Sequence, residues 1–169
     1  MDNKERFSNR TGHYVKHRPG YPKEAVDFMY GTVGLRETSV IAEIGAGTGI
    51  FTELLLERGS EVMAVEPNAA MRRAAVAKLV DAARVRWSAG SAEETGLPDA
   101  SADFVVCAQS FHWFDRQAAR KEFARILRPG GKTVLLWNSR RTKGTPFLEQ
   151  FEALLLKLPR ITNRSGTKT

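Results

Sequence analysis

The chain has 169 residues, enough for one domain with a substantial core, and 42% of them are hydrophobic. No run approaches the roughly 18 consecutive apolar residues of a membrane span, and Met1-Asp2-Asn3-Lys4-Glu5-Arg6 lacks the apolar core of a secretory signal, so a cytoplasmic protein without a membrane partner is expected. The net charge is +7, yet residues 140–169 carry seven basic and two acidic side chains while the rest is nearly balanced, which argues against a nucleic-acid partner.

The first twenty residues are polar and without a clear period, ending in Arg18-Pro19-Gly20-Tyr21-Pro22. Pro22 suits the first turn of a helix, which Ala25, Val26, Phe28 and Met29 continue at amphipathic spacing to about residue 32. Val40-Ile41-Ala42-Glu43-Ile44 is a short apolar run breaking into glycines, as a buried strand does at its carboxyl end. A helix over Thr52–Arg58 stops at Gly59, and Glu61–Glu66 reads as a second strand. Pro67 opens an alanine-rich helix to about Asp81.

Arg84–Ser88 forms a third strand, Ala89–Ala102 a turn-rich connection, and Asp103–Ala108 a fourth strand. The single cysteine, Cys107, lies in that apolar run and is read as packing; it excludes an internal disulfide and a multi-cysteine zinc site, and no metal is expected. Residues 116–127 place Ala119, Phe123, Ala124 and Leu127 at helical spacing until Arg128-Pro129-Gly130-Gly131, after which Lys132–Trp137 is the fifth strand. Pro146–Leu158 gives a last amphipathic helix. The strict alternation of strand and helix predicts an α/β, doubly wound parallel sheet in one domain over residues 1–158, with 159–169 a disordered basic tail.

In such a sheet ligands bind beyond the carboxyl ends of the strands. Strand one runs into Gly45-Ala46-Gly47-Thr48-Gly49, whose missing side chains let a ligand approach and whose amides, at a helix start, favour a carboxylate or phosphate. Strand two ends at Glu66, seventeen residues beyond Gly49, where an acid accepts hydrogen bonds from both hydroxyls of a ribose. The set points to an adenosine-containing cofactor. A dinucleotide fingerprint G-x-G-x-x-G wants glycine at position 50, where this chain has Ile50.

Glu43-Ile44-Gly45-Ala46-Gly47-Thr48-Gly49, Val65-Glu66-Pro67, Gly90-Ser91-Ala92-Glu93-Glu94-Thr95-Gly96-Leu97-Pro98, Asp103-Phe104-Val105-Val106 and Leu127-Arg128-Pro129-Gly130-Gly131 occur in this order. Over about residues 7–158 the chain resembles the class I S-adenosylmethionine-dependent methyltransferases of the type 11 small-molecule group. Phe111-His112-Trp113-Phe114, with Tyr14, Arg18, Pro19 and Tyr21, is most similar to the trans-aconitate methyltransferase-like branch. The resemblance implies a Rossmann-like methyltransferase sheet and S-adenosylmethionine as cofactor. It implies that Glu43, Gly45, Ala46, Gly47 and Gly49 hold the methionine end, Glu66 the ribose, and Ser91 and Ala92 the adenine edge, with Gln109 also in the cofactor set. The methyl acceptor is then a small molecule, with a carboxylate oxygen as one form of the attacking group.

The chain departs from that pattern in two places. Many relatives have aspartate where Ser91 stands, so the adenine contact is expected to be kept but weakened. Nothing in residues 159–169 reads as a strand, so the sheet lacks the family's C-terminal antiparallel pair, and the exposed edge favours self-association. His112, just past strand four, is the candidate general base for an attacking hydroxyl, the alternative being a packing residue at a strand end. Trp113 and Phe114 are read as substrate-pocket walls or as core packing. Tyr14, Arg18 and Tyr21 are read as a lid whose Arg18 meets a substrate carboxylate, or as a solvated arm. Adjacent Glu93 and Glu94 are read as structural. Two other functions stay open, a truncated non-catalytic fragment and a nicotinamide-dependent dehydrogenase.

Overall fold

The computed structural model describes residues 20–80, 83–139 and 141–157; Tyr14, Arg18 and the 159–169 tail lie outside these described residues. The chain divides after Trp137 into two compact units. The first holds the sheet. Its elements are α1 (Lys23–Phe28), β1 (Val40–Ile44), α2 (Ile50–Glu57), β2 (Glu61–Val65), α3 (Ala69–Lys78), β3 (Val85–Ser88), β4 (Ala102–Ala108), α4 (Arg116–Ile126) and β5 (Leu127–Leu136).

The strands are ordered β3-β2-β1-β4-β5, and every pairing is parallel. The doubly wound α/β sheet expected from the sequence is therefore present. The chain leaves β1 towards β2 on one side and later places β4 on the other, so the strand order reverses between β1 and β4, where an open α/β sheet forms a crevice.

Alternation along each strand builds the two core layers. Ile41, Val62, Ala64, Phe104, Val106 and Ala108 point to the face covered by α1 and α2, meeting Val26, Phe51 and Leu55. Ala42, Ile44, Met63, Val65, Val105 and Cys107 point to the opposite face, where α4 supplies Ala119, Phe123 and Ile126. Fully burying a side chain such as Phe51 or Leu55 contributes roughly 1.5–3 kcal/mol. Cys107 is a buried free thiol, as read from its apolar surroundings.

Several boundaries differ from expectation for local reasons. The first helix is regular only to Phe28 and widens into a π-helical turn over Met29–Val33, closed by Gly34 at φ 102°. The third starts at Ala69 rather than Pro67, because the Asn68 side chain accepts from the backbone N–H of Ala70 and Met71, both at 3.0 Å. Arg128–Gly131 does not separate α4 from a strand beginning at Lys132. Leu127 already pairs with Ala102, and the register then shifts so that Lys132 pairs with Phe104. The glycine-rich run is thus an irregularity within β5, with Gly130 at φ 81°. Among the described residues β5 pairs only with β4 and forms a sheet edge, with Leu135 40% and Trp137 43% exposed.

The second unit contributes α5 (Pro146–Lys157), on which Phe147 and Phe151 stack with ring centroids 6.0 Å apart. Among the described residues no helix is long and apolar enough to cross a membrane, and no group of His, Cys, Asp and Glu is placed to hold a metal ion.

Candidate active site

The carboxyl ends of β1, β2 and β4 converge on the glycine turn. Gly45, Gly47 and Gly49 all have positive φ, at 75°, 60° and 76°, and their surroundings divide their roles. A Cβ at Gly45 would stand 2.6 Å from Ser110 Cβ, and one at Gly49 would crowd Leu79 and Ala75 at 3.1 and 3.3 Å, so these two let neighbouring chain pack closely. Beyond Gly47 there is open space, the approach a ligand needs.

The amides of this turn are arranged otherwise than the sequence suggests. Gly45 and Ala46 donate to the Val65 carbonyl at 2.8 and 3.1 Å, Gly49 to the Ala46 carbonyl at 3.0 Å, and Gly47 to Glu66 Oε2 at 2.8 Å. These four N–H groups are engaged inside the protein, and they fix the turn's shape rather than face a ligand.

Glu66 is 6% exposed, and its second oxygen accepts from the Asn68 N–H at 2.8 Å. Burial pushes its carboxyl above the usual range, and the amides of Asn68 and Gly47 and then Arg72 pull the other way. Each oxygen keeps a further lone pair, so the carboxylate can still accept two hydroxyls. Glu43, pointing from β1 towards α2, is 1% exposed and accepts from Thr52 Oγ1 at 2.6 Å. Burial raises its carboxyl to about 8, against the Thr52 hydrogen bond and with a smaller push from Glu66.

Glu43, Gly45, Ala46, Thr48, Ile50, Phe51, Ala108 and Tyr21 line a cavity of about 20 Å³, room for one water. Among the described residues, Thr48 Oγ1 is the buried side-chain polar atom without a hydrogen-bond partner, and Thr48 is one of the residues lining this cavity. A buried hydroxyl left unpaired costs about 1–3 kcal/mol, which a polar ligand group there would relieve. An orphan hydroxyl, a buried carboxyl and open space at Gly47 are polar partners and room of the kind a cofactor's polar end requires.

The other expected residues are spread around the turn. Tyr21 reaches the cavity and packs edge-on to Phe51, with ring centroids 4.8 Å apart, so it borders the Glu43 side of the site. Gln109 takes φ 59°, its N–H donating to the Leu136 carbonyl at 2.9 Å, as β4 turns out of the sheet. His112 and Trp113 sit exposed on the 3-10 turn Phe111–Trp113, with ring centroids 4.8 Å apart, and do not line the cavity. Phe114 instead packs with Phe111 and Phe123 against the core and approaches Gly45.

Ser91 is half-buried, donating its N–H to the Glu94 carbonyl at 2.9 Å, and Ala92 is buried. Glu93 accepts from the Asp115 N–H at 2.9 Å, in keeping with its structural reading.

Ser110 was not anticipated. It is 6% exposed, and its hydroxyl donates to the Ile44 carbonyl at 2.6 Å, joining the exit of β4 to the end of β1. No local pattern marks it, because its partner is 66 residues away. Thr48 lay within the recognised turn, and its hydroxyl was the available signal.

Residues 42–135, which include the glycine turn, Glu66 and Ser91-Ala92, match the family described as Methyltransferase domain. The chain belongs to this methyltransferase family. The methyl donor of the family is S-adenosylmethionine. An uncharacterized methyltransferase of Mycobacterium tuberculosis is 41% identical over 134 residues, covering 79% of this chain and 52% of its own. An uncharacterized methyltransferase-like protein of Schizosaccharomyces pombe is 37% identical over 150 residues, covering 88% and 57%. The chain thus spans about half the length of these curated relatives. The sheet also superposes on the structure of a SAM-dependent methyltransferase from Aquifex aeolicus with a TM-score of 0.61, covering 77% of this chain and 75% of that one; at 23% identity this shows a shared fold.

Proposed function

We propose that the chain binds S-adenosylmethionine at the crevice between β1 and β4 and transfers its methyl group to a small-molecule acceptor, a carboxylate oxygen being one form of the attacking group. The observation that carries this reading is the Gly47–Glu66 hydrogen bond beside the unpaired Thr48 hydroxyl, which together build a polar, pre-shaped seat. Glu43, Gly45, Ala46, Gly47 and Gly49 form the methionine end, Glu66 receives the ribose, and Ser91, Ala92 and Gln109 border the adenosine. Held by these residues, the cofactor would supply an activated methyl group on a sulfonium.

The protein's part is positioning, which supplies up to about 7–11 kcal/mol where reactants are held in attack geometry. An ionised carboxylate acceptor needs no base; for a hydroxyl acceptor, His112 on the turn after β4 would take the proton. Tyr14, Arg18, Tyr21 and Trp113 are proposed to enclose the acceptor, in the manner of the trans-aconitate methyltransferase-like branch. The site is built by the unit that ends at Trp137, in an enzyme proposed to be cytoplasmic.

Isothermal titration calorimetry with S-adenosylmethionine tests this. Saturable heat is expected from the chain, loss of it in Glu66→Ala, and affinity within about twofold in His112→Ala. No heat at millimolar ligand from folded protein would overturn the proposal.

A further inference from the structure

The connection from β3 to β4 lacks regular secondary structure, yet it is closed and anchored with unusual thoroughness. Ser88 Oγ donates to the Thr95 carbonyl at 2.7 Å and accepts from the Gly90 N–H at 3.2 Å. A Cβ at Gly90 would lie 2.3 Å from the Thr95 carbonyl oxygen, so the loop folds back on itself with no room for a side chain there. Ser91 and Ala92 ride at the tip of this closed loop.

The loop and α4 exchange carboxylate anchors. Glu93 of the loop accepts from the Asp115 N–H, which precedes α4, at 2.9 Å. In return Glu122 of α4, 9% exposed, accepts from both the N–H and the hydroxyl of Thr95, at 2.8 and 2.6 Å. Thr95 is itself fully buried, and its hydroxyl oxygen accepts from the Leu97 N–H at 3.2 Å. Arg125 holds the Glu122 carboxylate bidentately, at 2.8 and 2.7 Å, and reaches Asp99 with its remaining nitrogen at 2.5 Å. A bidentate guanidinium fixes both the charge and the plane of a carboxylate, and here it holds Oε1, the oxygen that takes both Thr95 donors.

We propose that Glu122 is a positioning residue for the adenine end of the cofactor, acting through Thr95 to fix the loop that presents Ser91 and Ala92. This rests on the reading that Ser91 and Ala92 border the adenine. An uncharged serine makes a weaker contact than a carboxylate would, so the contact depends on its placement, and the buried Thr95–Glu122 pair supplies that placement.

The test compares two ligands by calorimetry on the full chain, S-adenosylhomocysteine and its purine-riboside analogue, in which hydrogen replaces the adenine amino group. The wild-type chain is expected to prefer the adenine ligand by about three- to tenfold, the worth of one neutral hydrogen bond. In Glu122→Gln and in Thr95→Val the preference should shrink below twofold while affinity for the purine ligand changes less than twofold, and Thr95→Ser should restore the preference. Should Glu122→Gln fail to fold, Thr95→Val, which leaves the Glu122–Arg125 pair intact, decides the matter.

Equal losses for both ligands, with the preference preserved, would overturn the proposal by reducing Glu122 to a structural support. Wild-type binding without any preference would overturn it by removing the adenine contact. Wild-type binding of neither ligand would overturn the cofactor reading and this proposal with it.

Discussion

Glu66 Oε2 accepts the Gly47 N–H at 2.8 Å while its other oxygen accepts the Asn68 N–H at 2.8 Å, so one carboxylate links the end of β2 to the glycine turn after β1. Both donors are backbone groups and cannot turn away. In Glu66→Gln one of them would face the amide nitrogen, donor against donor, leaving a buried N–H unpaired at about 1–3 kcal/mol. Urea denaturation should register that loss even without ligand, and calorimetry a cofactor affinity at least tenfold lower.

The glycines should not be equally replaceable. Gly45→Ala meets Ser110 at 2.6 Å as well as an unfavourable φ, and overpacking plus backbone strain gives a loss of about 2–4 kcal/mol. Gly47→Ala has open space, so only its φ of 60° counts, at about 1–2 kcal/mol. Gly47→Ala should nevertheless lose more cofactor affinity relative to its stability loss, because its Cβ enters the space left for the ligand. Parallel thermal-melt and calorimetric measurements on the two variants test the order.

Stability should fall with rising pH across the range set by Glu43. Its folded-state pKa, about 8, lies above the unfolded value of 4.5, so between these values the native state binds more protons than the unfolded state. The contribution is therefore fully present below about 4.5 and is lost as pH rises through about 8. Glu66 is shifted in the same direction, while Cys107, pushed up to about 12, stays protonated throughout. Glu43→Gln keeps an oxygen for Thr52 Oγ1 and removes the titration. Urea midpoints at pH 5.5 and 8.5 should converge in the variant relative to the wild type.

Among the described residues β5 pairs only with β4, with Leu135 and the following Trp137 exposed, and self-association through that edge is the prediction. Placing lysine at both positions should weaken it at least tenfold through charge repulsion. Light scattering across a concentration series measures this, and equal association in both proteins would exclude the edge as the contact.

The order of strands and helices, the glycine turn and the acid after β2 were all legible in the sequence, because each is a local pattern: a short apolar run, a break, and a residue at a fixed offset. The N-cap of α3 was legible in principle from Asn68 beside the alanine-rich run, but Pro67 drew the boundary two residues early. The register shift in β5 was not legible, since Arg128-Pro129-Gly130-Gly131 reads locally as a stop, and only the pairing of Leu127 with Ala102 makes it part of the strand.

Tertiary structure alone decided which groups the site has free. The turn's sequence marks its amides as ligand donors, but folding brings Val65 and Glu66 against them and leaves the Thr48 hydroxyl unpaired instead. Likewise Ser110 meets Ile44 and Thr95 meets Glu122 only because strand order and crossovers place distant segments side by side. A sequence determines its periodicities and breaks through nearest neighbours along the chain, whereas hydrogen-bond partners are settled by whichever donors and acceptors the packed sheet brings within 3 Å.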